Sequence, residues 1–327
     1  MTWSEIDWKA LDRLRGHFLS SSASGSYWTS ESDLESYDLT FGERIGWKWD
    51  AVLDELAAKA WNPPPGDILD WGCGSGVASR RVIGRYGAKC PGTLILWDQS
   101  PVACNFAESR ALAEFKGLSC AIATESFLGG NDPIGVLVIS HVMNELTPAA
   151  IEQLRGLAAR SKSILWVEPG SSDVSRRLSG FRDELSERFG IVGPCTHDHR
   201  CPALQSGNER HWCHHFAHPP PAVFTDSDWV RFGKRMGIDL RSLPYAFAAL
   251  DRSWRGESRD LSRVIGRPET FKPYVRLLNC DRTGLAELEI PKRTNAALCK
   301  ELERSRKPLV YEWKRDGKVV LSGSSAI

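Results

Sequence analysis

The feature that most constrains the fold is a regular alternation between short apolar runs and helix-type segments in the first half of the chain. The apolar runs are Asp67–Trp71, Thr93–Trp97, 119–123, Ile134–Ile139 and Ser163–Val167. Apolar runs such as Thr93–Trp97 and Ile134–Ile139 are typical of strands whose two faces are both buried, and 119–123 predicts a weaker strand. Connections long enough to form a helix make consecutive strands parallel. The sequence therefore predicts an α/β fold with a doubly wound parallel sheet and helices on both faces.

Helix start signals support this prediction. Ser100-Pro101 and Thr147-Pro148 each place a hydroxyl side chain at the N-cap and a proline at the first helical position. The segment Val77–Tyr86 follows a glycine-rich loop and is also predicted to be a helix. Residues 18–40, in contrast, are rich in serine, threonine and acids, and they predict a loose surface segment.

The later part of the chain departs from the alternating pattern. Residues 193–221 are polar, rich in cysteine and histidine, and end in three prolines. The strand-like run Tyr245–Leu250 comes after them, so we interpret 193–221 as an insertion before the last strand of the sheet. A helix candidate at 294–305 and a hairpin at Asp316-Gly317 follow. The predicted divisions are an N-terminal segment (1–44), an α/β domain (45–250) and a basic, small strand-rich C-terminal module (251–327).

Composition excludes several classes of protein. A length of 327 residues suggests two domains at roughly 150 residues each. The 42 lysines and arginines nearly balance the 41 acids, so the net charge of +1 indicates neither a nucleic-acid nor a membrane partner. No apolar run approaches the roughly 18 residues of a membrane span, and the acidic N-terminus resembles neither a signal nor a transit peptide. We expect a cytoplasmic protein whose nine cysteines are ligands or core residues rather than disulfides.

A glycine loop follows the first predicted strand. It reads Asp70-Trp71-Gly72-Cys73-Gly74-Ser75-Gly76, and glycines there let a ligand approach the backbone at the carboxyl end of a strand. A triphosphate-binding loop would require Gly-Lys-Ser/Thr, which is absent, and a dinucleotide-binding loop prefers GxGxxG, whereas this spacing is GxGxG. The third alternative is a loop that binds S-adenosylmethionine (AdoMet).

A carboxylate ends the next predicted strand. Asp98 closes the run TLILWD, where it can accept hydrogen bonds from both hydroxyls of a ribose. This pair of features resembles the class I AdoMet-dependent methyltransferases. The resemblance implies that Asp70 faces the amino group of AdoMet, that Asp98 holds its ribose and that Glu125 lies near its adenine. It implies a cofactor-binding set that also includes the loop residues Gly72, Cys73, Gly74, Gly76 and, beside Asp98, Gln99.

The methyl acceptor is not specified by the sequence. Enzymes that methylate amino groups of bases often carry Asn/Asp-Pro-Pro-aromatic after the fourth strand, whereas this chain has Ser140-His141-Val142-Met143-Asn144 there. Methylation at carbon 5 of a pyrimidine requires a cysteine nucleophile, and Cys195 follows a proline but lies in the insertion. His141 is a candidate base, and it is equally well explained as a polar residue that closes a strand. Catalytic residues therefore stay unassigned.

The insertion has the composition of a metal-binding segment. Cys195, Cys201 and Cys213 lie within it, Cys280 follows later, and six of the eight histidines fall between positions 197 and 218. A polar, proline-rich segment has little core of its own, and a bound metal can stabilise such a segment. Zinc suits a tetrahedron of cysteine and histidine. An iron–sulfur cluster takes four thiolates with flexible spacing, and both alternatives stay open on spacing alone.

The cysteine motif resembles that of a known family. Pro194-Cys195-x-His197, Cys201-Pro202-x-Leu204 and Trp212-Cys213-His214-x-Phe216 are similar to the motif of the small-ribosomal-subunit methyltransferase-like family. The resemblance implies a methyltransferase fold, a structural [4Fe-4S] cluster held by Cys195, Cys201, Cys213 and Cys280, and a partnership with the small ribosomal subunit and its RNA. Alternatives are an assembly factor that binds AdoMet without catalysis, and a zinc-containing methyltransferase that acts on a protein or small molecule. The oligomeric state is not indicated.

A row of arginines precedes Cys280. Arg255, Arg259 and Arg263 recur every four residues, so on a helix they would share one face, and Arg267 continues the spacing. Such a row can follow the phosphates of ribosomal RNA. The alternative is an ordinary solvated helix face. The resemblance favours RNA binding by these four arginines.

Overall fold

The structure is a computed structural model that describes residues 2–19, 27–89, 92–256 and 259–327. The chain divides into two compact units, each assembled from separated stretches. The first unit comprises Met1–Leu53, Asn62–Val167 and His218–Leu243. The second comprises Asp54–Trp61, Glu168–Ala217 and Pro244–Ile327. The cysteine segment before residue 218 thus belongs to the same unit as the C-terminal module.

The first unit contains a parallel sheet in which the strand order is β3-β2-β1-β4-β5. Its strands are β1 (Ile68–Trp71), β2 (Leu94–Trp97), β3 (Cys120–Ile122), β4 (Ile134–Ser140) and β5 (Ser161–Pro169). The central strands β1 and β4 are almost entirely buried. The apolar sequence of β4 predicts this burial, whereas β1 also buries the carboxyl group of Asp70. The sequence prediction of an α/β fold with a parallel sheet is therefore confirmed.

The helices of the sequence are α1 (Trp8–Leu19), α2 (Glu31–Tyr37), α3 (Glu43–Ala58), α4 (Val77–Tyr86), α5 (Pro101–Glu114), α6 (Glu125–Gly129), α7 (Pro148–Arg160), α8 (Ser172–Leu185), α9 (Ser227–Met236) and α10 (Ala296–Arg304). Two predicted starts are confirmed in detail. The Ser100 hydroxyl accepts a hydrogen bond from the Ala103 amide, and the Thr147 hydroxyl accepts one from the Ala150 amide. Proline occupies the first position of both helices, where a missing N–H has no cost.

The prediction of a loose N-terminal segment is wrong for the described residues after 26. Residues 27–30 lead into α2, which has buried positions at Leu34 and Tyr37. The polar residues that suggested a loop instead cap the helix, since the Ser30 hydroxyl accepts a hydrogen bond from the Asp33 amide. The predicted segment 18–40 also includes residues 20–26, which lie outside the described residues.

Antiparallel strands and α8 form the first part of the second unit. β6 (Gly190–Gly193) pairs antiparallel with β8 (Leu243–Asp251), and β7 (His215–Ala217) also pairs with β8. The loops between β6 and β7 contain most of the cysteine- and histidine-rich segment. α8 directly precedes β6 and presents arginines to these loops.

The rest of the second unit is a closed five-stranded barrel. Its strands are β9 (Ser262–Thr270), β10 (Tyr274–Asp281), β11 (Gly284–Pro291), β12 (Val310–Asp316) and β13 (Val319–Ser325), connected in the order β10-β11-β13-β12-β9. Alternating residues of β10 point into a core that also receives Leu298 and Leu302 of α10. The predicted strand-rich C-terminal module is thus a closed barrel, and its last hairpin turns at Asp316-Gly317 as predicted.

A search for membrane spans among the described residues gave none: no helix there combines the length and apolar character that crossing a bilayer requires.

Candidate functional site

Glycines in left-handed backbone conformations shape the loop after β1. Gly72, Gly74 and Gly76 have φ angles of 74°, 51° and 73°. A Cβ atom at Gly72 would lie 2.6 Å from Val142 Cγ1, and one at Gly76 would lie 2.9 Å from Ala107 Cβ. Side chains are therefore excluded at both positions by conformation and by space. The loop presents bare backbone at the carboxyl end of β1.

Asp98, the residue after β2, is hydrogen-bonded to this loop. Its Oδ2 accepts a 2.9 Å hydrogen bond from the Gly74 amide, and its Oδ1 accepts one of 2.9 Å from the Ser100 amide. Burial raises the pKa of Asp98, while the two amides lower it. Each carboxylate oxygen has a further lone pair with which to bind a ligand. The structure thus brings together two features that are far apart in the sequence.

Asp70, near the end of β1, is fully buried, and only one of its two carboxylate oxygens accepts a hydrogen bond from a described residue. Its Oδ2 accepts a 2.6 Å hydrogen bond from the Ser79 hydroxyl, but its Oδ1 has no hydrogen-bond partner among the described residues. Burial raises the pKa of Asp70 to about 6 even though Ser79 favours the charged form. A buried oxygen without a partner costs about 1–3 kcal/mol. A ligand that donated a hydrogen bond here would remove that cost.

Glu145 contributes a third carboxyl group close to Asp98. Its Oε1 accepts a 3.3 Å hydrogen bond from the Tyr27 hydroxyl. Burial and the negative charge of Asp98 raise the pKa of Glu145 to about 7, although the Tyr27 bond lowers it. The charge of Asp98 also raises the pKa of Asp70. We call Asp70, Asp98 and Glu145 the acidic cluster, and its mutual repulsion favours a cationic ligand.

The sequence analysis missed the aromatic residues that border this site. Trp28 lies over the glycine loop, since a Cβ at Gly74 would be 3.9 Å from its Cζ2 atom. The rings of Tyr27 and Trp28 are 4.7 Å apart, and Trp28 contacts Tyr37 edge to face at 5.0 Å. The available signal was the presence of Tyr27, Trp28 and Tyr37 in a segment otherwise rich in serine and acids. They indicated burial rather than a surface loop.

The other predicted cofactor residues, Gln99, Glu125 and Cys73, differ in exposure to solvent. Gln99 and Glu125 are exposed, and Glu125 begins α6 after the Thr124 N-cap. Cys73 is buried, and its interaction with Cys104, together with burial, raises the pKa of its thiol. A buried neutral thiol of this kind behaves as a small apolar side chain.

His141 follows β4 with an unusual backbone conformation. Its φ of 58° lies in the left-handed region, which is costly for a residue with a side chain. Its Nε2 lies 3.1 Å from Lys48 Nζ, and its Nδ1 lies 3.3 Å from the Ser140 hydroxyl. Burial and the charge of Lys48 hold the pKa of His141 well below its usual range. The imidazole is therefore neutral at physiological pH and resists protonation.

The raised pKa of Asp70 predicts a pH-dependent stability. The folded protein favours protonated Asp70, so this contribution is fully present below the unfolded pKa near 4 and is lost as pH rises through about 6. We expect Asp70→Asn to stabilise the AdoMet-free protein more at pH 7.5 than at pH 5. Thermal unfolding of both proteins across this range measures the difference. If the stabilities of the two proteins changed with pH in parallel, the raised pKa of Asp70 would be contradicted.

In the second unit, three of the predicted metal ligands line one cavity that is partly open to solvent. These residues are Cys195, Cys201 and Cys213. Cys280, on β10, lies beside the same segment, because its Sγ is 3.7 Å from His197 Nε2. The fold therefore brings Cys280 to the segment across 66 intervening residues, counted from Cys213 to Cys280.

Burial and the neighbouring cysteines of the motif raise the pKa values of the Cys213 and Cys280 thiols. Burial, and then the charges of Cys195, Cys201 and Cys280, raise the pKa of Cys213 well above its usual value. Burial and the charges of Cys195 and Cys201 likewise raise the pKa of Cys280. Thiolates crowded in this way repel one another. A cationic group bound among them would relieve that repulsion.

Two arginines of α8 hold the segment, which the sequence analysis missed. Arg182 donates hydrogen bonds to the backbone carbonyls of His197 (2.8 Å) and His199 (2.6 Å). Arg176 donates to the carbonyls of Ala203 (2.6 Å) and His211 (3.0 Å).

Within residues 2–19, 27–89, 92–256 and 259–327, no group of three or more His, Cys, Asp or Glu side chains is placed so as to hold a metal ion.

The predicted arginine row is wrong as a helix face. Residues 259–261 are not helical, and Arg263 and Arg267 lie on β9. Arg263 is 3% exposed and forms an ion pair with Glu55, so it cannot contact RNA phosphates. The guanidinium of Arg267 lies 4.0 Å from the centroid of the Phe216 ring. Arg255 is exposed, and Arg259 forms an ion pair with Glu312.

Several solved structures resemble this fold. Magnesium protoporphyrin IX methyltransferase (ChlM) of Synechocystis PCC 6803, with bound SAH, is 13% identical over 76% of this chain and 97% of its own, with a TM-score of 0.40. The plantazolicin methyltransferase BamL is 10% identical over 75% and 97%, with a TM-score of 0.41. Precorrin-6y C5,15-methyltransferase of Geobacter metallireducens GS-15 is 14% identical over 44% and 71%, with a TM-score of 0.32. At these scores the likeness says nothing about the ligand or reaction of this chain.

Sequence comparison is more specific. No curated protein matches the chain. Residues 48–300, more than three quarters of the sequence, match the family described as mitochondrial small ribosomal subunit Rsm22. This range includes the glycine loop, the acidic cluster and all four cysteines of the motif. The chain therefore belongs to the Rsm22 family.

Proposed function

We propose that this protein is an AdoMet-binding, methyltransferase-like protein that acts on or with the small ribosomal subunit and carries a structural [4Fe-4S] cluster. The observation that carries the AdoMet proposal is the buried Oδ1 of Asp70, which has no partner in the acidic cluster beside a bare glycine loop. AdoMet carries an ammonium and a sulfonium group, and both suit a cluster whose carboxyl groups repel one another. When bound, AdoMet would supply an activated methyl group.

Different residues of the first unit would bind different parts of AdoMet. Asp70 would accept a hydrogen bond from the ammonium group, and the backbone of Gly72 to Gly76 would lie against the methionine part. Asp98 would accept hydrogen bonds from the ribose while it holds the loop through the Gly74 amide. Glu125, exposed after β3, would lie near the adenine. His141, which follows β4, stays a candidate base, although its lowered pKa makes it a weaker base than an ordinary histidine.

Replacing Asp98 by alanine is expected to weaken AdoMet binding at least tenfold. The variant loses two hydrogen bonds to a charged acceptor, each contributing about 1.5–3 kcal/mol. Isothermal titration calorimetry with AdoMet measures the change, and circular dichroism shows whether the variant is folded. Glu152→Ala, which removes an exposed carboxylate on α7, is the matched control and should bind AdoMet like the parent. Parental affinity in folded Asp98→Ala would refute the role.

The proposed partner is the small ribosomal subunit and its RNA, since the family description names that subunit. Co-sedimentation of the purified protein with isolated small subunits tests this association. A second candidate function is a non-catalytic assembly factor that binds AdoMet only as a ligand. It is favoured by the contact between His141 and Lys48, which engages the imidazole. Transfer of a labelled methyl group from AdoMet to small-subunit particles separates the two, because the assembly factor would transfer none.

The cluster proposal depends on the four cysteines of the second unit. Thiolates that bind one zinc ion must lie about 2.3 Å from a single point, whereas the four ligands of a cluster are separated by the cluster itself. A cluster occupies volume of its own, so its cysteine ligands lie farther apart and border a cavity, as Cys195, Cys201 and Cys213 do. Zinc held with help from His197 or His214 is the alternative. Visible absorbance and metal analysis after anaerobic purification distinguish the two.

A further inference from the structure

The barrel of the second unit has the strand order of an OB-fold. Its five strands close in the order first, second, third, fifth and fourth, and the third and fifth strands, β11 and β13, pair in parallel. α10 lies in the connection between the third and fourth strands. In OB-folds, oligonucleotides and oligosaccharides bind on the face of the second and third strands, between the loops after the first and fourth strands. In this chain those loops are 271–273 and 317–318.

The positive charge of the chain is concentrated in this barrel. Residues 262–327 contain 14 lysines and arginines and 8 acids, a net charge of +6, whereas the whole chain has a net charge of +1. The remainder of the chain is therefore net negative. A net positive module attracts a polyanion and does not favour a neutral oligosaccharide.

An exposed aromatic residue lies at the end of the binding face. Phe271 is 37% exposed in the first of the two loops. Its ring centroid lies 5.0 Å from that of Tyr274, the first residue of β10. The guanidinium of Arg276, on the outward side of the same strand, lies 5.0 Å from the Phe271 ring centroid and is held by Glu269 at 2.5 Å. Exposed aromatic rings with an adjacent arginine form the kind of platform on which unpaired bases stack.

Two lysines and Val319 lie around this platform, and Glu289 lies between Arg276 and Val319 in the sheet. Lys272 is exposed beside Phe271, and Lys318 is exposed in the second loop. Arg276 on β10 is paired with Glu289 on β11, and Glu289 is in turn paired with Val319 on β13. Val319 is 37% exposed on the barrel surface. A chain that stacked on Phe271 would therefore pass lysines at both loops, where its phosphates could bind.

The opposite end of this face is already occupied within the second unit. Glu287 of β11 forms an ion pair with Arg210, and Cys280 contacts His197. The open part is thus the end formed by 271–276, 289–291 and 318–319. Its width of a few residues suits a few unpaired nucleotides rather than a duplex, because stacking on a side chain requires bases that are not already stacked.

We propose that this end of the barrel binds single-stranded RNA, with Phe271 and Tyr274 stacking on bases and Lys272 and Lys318 contacting phosphates. The proposal deepens the proposed association with the small subunit, because it names unpaired RNA as the ligand and the barrel as its site. It replaces the arginine row as the RNA-binding surface of the C-terminal module.

Fluorescence anisotropy with a fluorescein-labelled 12-nucleotide oligouridine tests the proposal on the anaerobically purified full-length protein. We expect Phe271→Ala to weaken binding about fivefold to 100-fold, the effect of losing one stacked base. Phe224→Ala is the matched control, since Phe224 is 43% exposed in the first unit and should be neutral. Lys272→Ala combined with Lys318→Ala should lower the slope of log affinity against log salt by roughly 1.4. Lys300→Ala combined with Lys307→Ala provides the charge-matched control.

Several results would overturn the proposal. These are no binding of oligouridine by the parent, parental affinity in Phe271→Ala, an unchanged salt slope in the double lysine variant, or displacement of the RNA by a neutral oligosaccharide. AdoMet calorimetry and co-sedimentation with small subunits do not depend on this site alone. If oligouridine fails to bind while those two assays succeed, the inference about the barrel fails and the proposed function stands.

Discussion

Replacing Cys280 by serine is expected to remove the iron and the brown colour of the anaerobically purified protein. Under the cluster proposal this variant lacks one of four thiolate ligands, and a hydroxyl group is a poor substitute for a thiolate. The remaining cysteines, Cys195, Cys201 and Cys213, all belong to one segment, so Cys280 is the ligand that connects this segment to the barrel. The absorbance of the cluster in the visible range and the iron content per chain measure the loss.

The same variant should also loosen the cysteine segment. The hydrogen bonds from Arg182 and Arg176 to backbone carbonyls would remain, but they hold the segment only on the side of α8. Limited proteolysis should therefore cut Cys280→Ser between about 193 and 221 faster than the parent. The parallel sheet of the first unit has its own core, and AdoMet binding should persist.

Cys299→Ser is the matched control for this prediction. Cys299 is 3% exposed in the barrel core, where its thiol donates to the Ile290 carbonyl at 3.6 Å. It has no place in the cysteine motif, so iron content, colour and the protease pattern should equal those of the parent. Retained iron in Cys280→Ser would remove Cys280 from the ligand set. Zinc in place of iron in the parent would favour the alternative with a histidine ligand.

Local signals explain why the sheet was predictable from the sequence. The apolar run of β4 requires burial on both faces, and the Ser100 and Thr147 caps fix where helices begin. The juxtaposition of Asp70, Asp98 and the glycine loop follows from the rule that parallel strands present their carboxyl ends at one edge. These features depend on neighbours in sequence or on the regular geometry of parallel strands.

The errors arose where distant partners decide the structure. α2 is buried because of aromatic contacts such as that between Trp28 and Tyr37, and serine-rich composition does not reveal such contacts. The spacing of Arg255, Arg259 and Arg263 matches the period of a helix, but pairing with β10 places Arg263 in a strand. Its charge is neutralised by a residue about 200 positions earlier, which no local pattern could indicate. Tertiary context overrode helical periodicity there.

That ion pair predicts the largest loss of stability. Glu55 is 0% exposed and Arg263 is 3% exposed. Arg263 Nη1 donates to Glu55 Oε2 at 3.0 Å, and a second bond joins Arg263 Nη2 to Glu55 Oε1. Burial opposes ionisation of Glu55, but the charges of Arg263 and Lys59 prevail and lower its pKa to about 2. The pair is therefore fully charged at neutral pH.

Glu55→Gln is expected to destabilise the protein by about 3–5 kcal/mol, since it leaves the Arg263 guanidinium buried without a counter-charge. Urea denaturation followed by circular dichroism measures the shift. Asp12→Asn removes one partner of an exposed pair with Arg235 and should cost at most about 1 kcal/mol. Replacing Glu55 and Arg263 together by methionine should cost less than Glu55→Gln, because the uncompensated charge is then absent. If the double variant were instead the less stable of the two, the cost would come from lost packing, and the burial of Arg263 would not be explained by its charge partner.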